Sequence, residues 1–354
     1  MLALVAAAER FVARHEGLDF TTVWASGWRY AGRAAGRDGP GCEVLCLGDS
    51  LVKFGVLPSA LQGRLGRKAT NLALCVGQPP ATLAVLRRAL DAGARPKAVV
   101  VDFTEHLLSV GPRRNRRHWP ELLDVAESLD LAHESRDADL VAELLLARLL
   151  PSYKDRYEVR AGALAALRGA RTPDREMLPA HWRNWNRNGG AQPIAAMGPQ
   201  PPIGDWFRAV YPRRWSCHPV NMVYLRRFLD LTGRRGIAVF WLLPPYTSEC
   251  RAMCESNGVE ARFLHFVRRL QAEYPHLVVL DGRLTDYPTP VFIDPIHLDR
   301  TGALAFSGDV ADAVARRLDA PAAGPAWVDL PRFRPPSTRL AIEDLGQSAA
   351  TLRR

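Results

Sequence analysis

Short apolar runs separated by longer amphipathic stretches dominate the pattern of this chain. The runs Val44 to Leu47, Thr70 to Cys75, Ala98 to Phe103, Ile237 to Leu243 and Leu277 to Leu280 are nearly continuous in apolar residues. That is the pattern of strands buried on both faces of a parallel sheet. Between them, Leu83 to Ala92, Val223 to Thr232, Val259 to Glu273 and Thr301 to Leu318 repeat apolar residues at helical spacing. The alternation predicts an α/β fold with a doubly wound five-stranded parallel sheet, whose ligands bind at the carboxyl ends of the strands. The gap between the third and fourth strands is far longer than a βα connection needs. Residues 109–216 are therefore expected as an insertion or lid lobe, with 41–108 and 217–318 forming the core. Residues 1–40 read as an N-terminal helix and lead-in, and 319–354 as a Pro- and Ala-rich tail that wraps the surface or stays mobile. Within the insertion, Leu122 to Leu150 is helical in pattern, whereas Arg183 to Pro219 is rich in Trp, Arg, Asn, Gly and Pro and predicts irregular structure.

Composition narrows the class. Hydrophobic residues make up 47% and charged residues 24% of the 354 positions, which is ordinary for an ordered globular chain. The net charge of +10 would suit an anionic partner. No nucleic-acid-binding motif accompanies it, so nucleic acid is not an expected partner. The run Arg113-Arg114-Asn115-Arg116-Arg117 reads as a solvated surface. Six cysteines are too scattered to staple a chain of this length and are expected to be mostly free thiols. Cys46 and Cys75 sit in apolar runs as core residues, and Cys250 and Cys254 lack a second ligand pair for zinc. No metal and no cofactor is expected. The apolar start from Met1 to Ala8 is cut short by Glu9 and Arg10, too short to span a bilayer. It reads as an amphipathic helix through Arg14. As written, the chain is expected in the cytoplasm, and an upstream apolar extension would place it at the envelope instead.

Two segments carry recognisable chemistry. Cys46-Leu47-Gly48-Asp49-Ser50-Leu51 follows the first strand directly. Ser50 then stands where a strand ends and a helix begins, where free backbone N–H groups can hold an oxyanion. The alternative is a plain N-cap serine. Far along the chain, Phe292-Ile293-Asp294-Pro295-Ile296-His297-Leu298 precedes the last helix. Its three-residue spacing lets the Asp294 carboxylate fold back on the His297 imidazole and fix its tautomer, leaving the other ring nitrogen to take a proton from Ser50. An α/β-hydrolase elbow is disfavoured because Val52 stands where its last glycine would be. A metal set of Asp294, His297 and Asp299 lacks a second histidine pair.

The Gly-Asp-Ser-Leu start, the Asp-x-x-His finish and the five-strand order resemble the SGNH/GDSL hydrolase superfamily over 42–103 and 221–318. The resemblance implies that family's flavodoxin-like fold, with Ser50 as nucleophile, Asp294 and His297 completing a triad, and the Ser50 amide as one oxyanion donor. It also implies an oxyanion role for the Gly77 amide in Asn71-Leu72-Ala73-Leu74-Cys75-Val76-Gly77, a glycine that a tight turn alone would equally require. The third family block, Gly-x-Asn-Asp, is replaced by Asp102-Phe103-Thr104-Glu105. Either Thr104 or Asn71 would have to supply the missing donor. The implied activity is hydrolysis of an acyl ester, with acetyl the expected acyl group, on a carbohydrate or small molecule. Polysaccharide O-acyl transfer is one alternative, and a weakly catalytic or non-catalytic glycan-binding or assembly protein is another. Trp119, Trp182, Trp185, Trp206 and Trp215, among Arg183, Arg187, Arg213 and Arg214, suit either stacking on sugar rings or single-stranded bases, or a small core of the insertion itself. The oligomeric state has no signature in the sequence.

Overall fold

The computed structural model describes residues 2–14, 21–198, 203–211, 214–320, 326–336 and 340–353. Its centre is one parallel sheet of six strands: β1 (Val44–Leu47), β2 (Ala69–Asn71), β3 (Ala98–Val101), β4 (Ala238–Leu243), β5 (Leu277–Asp281) and β6 (Trp327–Asp329), in the order β2-β1-β3-β4-β5-β6. All five pairings are parallel, with Val44 opposite both Ala69 and Ala98, and Val239 opposite Leu277.

Alternation along the strands divides the core in two. Leu45, Leu47, Val99, Val101, Val239, Trp241 and Val279 point to one face. There they meet the helices Val23–Asp38, Pro79–Asp91, Pro219–Arg234 and Val259–Glu273. Val44, Cys46, Val100, Phe240, Leu242, Val278 and Leu280 point to the other face, against the helices Ser50–Gly55, Pro58–Leu65 and Arg300–Asp319. The fold is thus α/β and doubly wound.

The sheet has six strands, not the expected five, because the tail supplies β6. Val279 donates to the Ala326 carbonyl and Leu330 to that of Asp281, so three residues cover an edge of β5 that would otherwise stand unpaired. Farther on, the tail forms the helix Leu345–Leu352, entered through an Asp344–Gln347 capping box. Glu343 pairs with Arg183, and Asp344 with Arg300, which pins this segment to two helices. The tail segments 321–325 and 337–339 lie outside the described residues.

Residues 109–216 also depart from expectation. The stretch expected as irregular from Arg183 begins inside a helix, Pro173–Arg187, started by the Thr172 cap and a proline in its first turn. Leu122 to Leu150 breaks into two helices, Val125–Ser135 and Ala138–Leu149, where Arg136 turns left-handed and Asp137 caps the second. Trp119, Trp185 and Trp215 are buried in the same apolar cluster as the sheet face, and Trp182 packs against it. They are core side chains. The side chain of Trp206 and all of Arg213 lie outside the described residues. Arg214 is exposed.

All six cysteines are free. Among the described residues no helix is long and apolar enough to cross a membrane, and no cluster of three or more His, Cys, Asp and Glu could hold a metal ion.

Candidate active site

The turn after β1 is built around Gly48, whose φ of +112° is left-handed. A Cβ there would lie 2.0 Å from Asp102 Oδ1 and 2.5 Å from the Asp102 carbonyl oxygen, so only glycine fits. Asp49 follows as the cap of the helix Ser50–Gly55, its Oδ1 accepting the Leu51 N–H at 2.8 Å. Its own N–H donates to Asp102 Oδ1 at 2.8 Å, and Thr104 Oγ1 donates to Asp49 Oδ2 at 2.7 Å. The turns after the adjacent strands β1 and β3 are laced together in this way. Burial, together with the neighbouring Asp49, pushes the Asp102 carboxyl well up. This lacing holds Ser50 at the first helical position, on the carboxyl side of the sheet.

The segment before the helix Arg300–Asp319 closes on itself. Phe292 and Leu298 form an antiparallel bridge, and the Ile293 N–H donates to the His297 carbonyl at 2.9 Å. Asp294 Oδ1 accepts the N–H groups of Ile296 and His297, each at 2.9 Å. Asp294 Oδ2 lies 2.6 Å from His297 Nδ1, and His297 Nε2 lies 2.8 Å from Ser50 Oγ. Burial alone would raise the Asp294 carboxyl. The bond to His297 and the two amides outweigh it and hold the group below its ordinary value. Because an ionised carboxylate only accepts, Nδ1 carries the ring proton and Nε2 is left to accept from the serine hydroxyl. Phe54 sets its ring edge-on to His297, with centroids 4.9 Å apart. Ser50, Asp294 and His297, singled out from sequence, thus stand in one hydrogen-bonded chain with the geometry of a nucleophile, a base and an orienting acid.

The candidate oxyanion donors are less favourably placed. The Ser50 amide is at the first helical position, where helix geometry leaves an N–H without an intrahelical acceptor. The Gly77 amide donates to the Leu74 carbonyl at 2.9 Å. Its glycine is needed for close approach, since a Cβ would lie 2.6 Å from the Gly48 carbonyl oxygen. Asn71 is fully buried, spending its amide hydrogens on the Val52 and Val56 carbonyls and its oxygen on the Ala73 N–H. It braces the helix Ser50–Gly55 and does not face the serine. Thr104 gives its hydroxyl hydrogen to Asp49.

Sequence reasoning missed what lies behind Phe54. A cavity of about 370 Å³ is lined by Lys53, Phe54, Trp24, His181 and Trp185, among others. Lys53 is 2% exposed, and its Nζ meets no hydrogen-bond partner. The rings of Tyr30 and Trp185 lie 5.4 and 5.1 Å from it. Such cation–π contacts return about 2 kcal/mol, against a desolvation penalty of several kcal/mol for a buried ammonium. Burial accordingly pushes the Lys53 ammonium down to about 8. The available signal was a lone lysine in the apolar run Leu51-Val52-Lys53-Phe54, which a solvated helix face would explain equally well.

The sequence matches no family model and no curated protein.

Proposed function

We propose that the chain is a serine-dependent ester hydrolase of the SGNH/GDSL type. The observation that carries this reading is the continuous chain Asp294–His297–Ser50, with links of 2.6 and 2.8 Å. In the proposed reaction, Ser50 Oγ attacks the ester carbonyl carbon as His297 Nε2 takes the hydroxyl proton. The tetrahedral oxyanion meets the Ser50 amide at the helix start. Collapse breaks the bond to the alcohol, which leaves with the proton from His297 and gives an acyl-serine. Water then attacks that ester, passing its proton to His297, and the acid leaves as Ser50 recovers its hydrogen. An acceptor hydroxyl in place of water would make the same cycle an O-acyl transfer. An acyl ester of a carbohydrate or small hydroxy compound, with acetyl as the acyl group, is the proposed substrate.

A second reading is favoured by the engaged donors. With Gly77, Asn71 and Thr104 all committed elsewhere, the Ser50 amide is what remains of the four candidate oxyanion donors. Loss of one donor costs about 100- to 1,000-fold in rate. A glycan-binding or assembly protein that retains the triad without rapid turnover is the alternative.

Mass spectrometry after treatment with a fluorophosphonate separates the two. The enzyme reading expects an adduct on Ser50 that is absent in Ser50→Ala and His297→Ala. Folded wild-type protein that takes up no probe would support the binding reading.

A further inference from the structure

Lys53 stands one helical turn beyond Ser50, is buried, and has no acceptor for its Nζ hydrogens. The faces of Tyr30 and Trp185 attract a cation but offer it no lone pair directed at an N–H. The cavity it lines is of small-molecule size. Phe54 belongs both to this cavity and, through its ring contact, to His297, so the cavity is a direct neighbour of the triad. Trp24 is 51% exposed and also lines the cavity, providing a flat apolar wall beside the buried charge.

The other titratable groups leave Lys53 as the source of positive charge. Burial pushes His181 down to about 4, which keeps its imidazole neutral, and its Nδ1 has no partner either. Burial raises the Cys75 thiol to about 11 and the Tyr30 hydroxyl to about 12, so neither is an anion at neutral pH. Asp174, the carboxylate among the lining residues, is exposed and accepts the Val23 N–H at 3.5 Å.

We propose that this cavity is the subsite for an anionic group, a carboxylate or a phosphate, on the alcohol portion of the ester that Ser50 attacks, with Lys53 as counter-ion and Trp24 as a wall for the attached ring. The assignment to substrate rests on the esterase reading; the anion site itself does not. A ligand oxygen at Nζ would complete a strong donor that the fold leaves unused. It also gives the enzyme a means of choosing acidic esters over neutral ones, because a neutral ligand leaves the ammonium unpaired.

Calorimetric titration of the full chain at pH 7 with methyl glucuronoside, glucose 6-phosphate and methyl glucoside tests this. Wild type and Ser50→Ala should bind at least one of the two anions about tenfold or more tightly than the neutral glucoside. Which anion is preferred identifies the group as carboxylate or phosphate. Lys53→Met, which keeps the side-chain length and removes the charge, should lose that preference. Trp24→Ala, at an exposed position, should weaken all the sugars together and leave the preference intact, which supplies a folded control. Equal binding of the neutral sugar, no saturable binding of either anion, or a preference that survives Lys53→Met would each overturn the proposal. An anion preference without a Ser50 adduct would keep the subsite and remove the esterase reading, so the two can fail separately.

Discussion

Ser50 and Lys53 belong to the same six-residue helix, yet the structure treats them in opposite ways. Around Ser50 nearly every polar group is paired: the hydroxyl with His297, the ring with Asp294, and the preceding Asp49 with Leu51, Asp102 and Thr104. One turn on, an ammonium lies buried among aromatic rings at the wall of a cavity, with nothing in the fold to accept its hydrogens. A paired polar group contributes order, and removing it costs stability or rate. An unpaired buried charge is itself a cost, and its persistence on the helix that carries Ser50 points to a partner from outside the fold.

Substitutions at the two places should therefore differ in sign as well as size. The largest effect belongs to Ser50→Ala, which should lower turnover of an activated acetyl ester such as p-nitrophenyl acetate by on the order of 10⁴-fold or more at unchanged thermal stability. Asp294→Asn comes next. Losing the acceptor that fixes the His297 tautomer should cost about 10³- to 10⁴-fold in kcat, read in the same assay.

Lys53→Met should act in the opposite direction, raising stability by about 3 kcal/mol at pH 7 in urea unfolding. The pH dependence follows from the folded ammonium being pushed from 10.5 down to about 8. Below pH 8 folded and unfolded chains both carry the proton, and wild type bears the full penalty. Between 8 and 10.5 the folded chain has shed it while the unfolded chain keeps it, so wild type gains stability with rising pH and the gap to Lys53→Met closes. A gap that stays constant from pH 7 to 10 would show that Lys53 is not the strained group. The smallest effect is that of Thr104→Val. Asp49 would lose one donor, for a destabilisation of about 1 to 2 kcal/mol in the same unfolding experiment.

What the sequence made legible follows from the length scale of each signal. β1, β3, β4 and β5 were readable because both faces of each are buried, so whole runs are apolar. β2 ends early, at Asn71, because that side chain turns to brace the Ser50 helix. β6 is three residues long in a Pro- and Ala-rich segment, too short to form a pattern, and exists because β5 has an open edge. The triad residues stood out by chemistry: Gly48 is forced by geometry, and the Asp294 to His297 spacing closes a local turn. The engagement of Gly77, Asn71 and Thr104 was not legible, since whether a donor is free depends on acceptors distant in sequence. Lys53 was hidden for the same reason, its surroundings coming from Tyr30 and Trp185.

Ser50 Oγ and His297 Nε2 meet across 247 residues of chain. A ribosome making this protein releases the serine first and the imidazole roughly 10 to 50 s later at ordinary elongation rates. For that interval the emerging chain carries only a plain alcohol at the helix start, unable to acylate itself on esters nearby. On the proposed reading, Ser50 can be activated only once the hairpin ahead of the helix Arg300–Asp319 has docked against it.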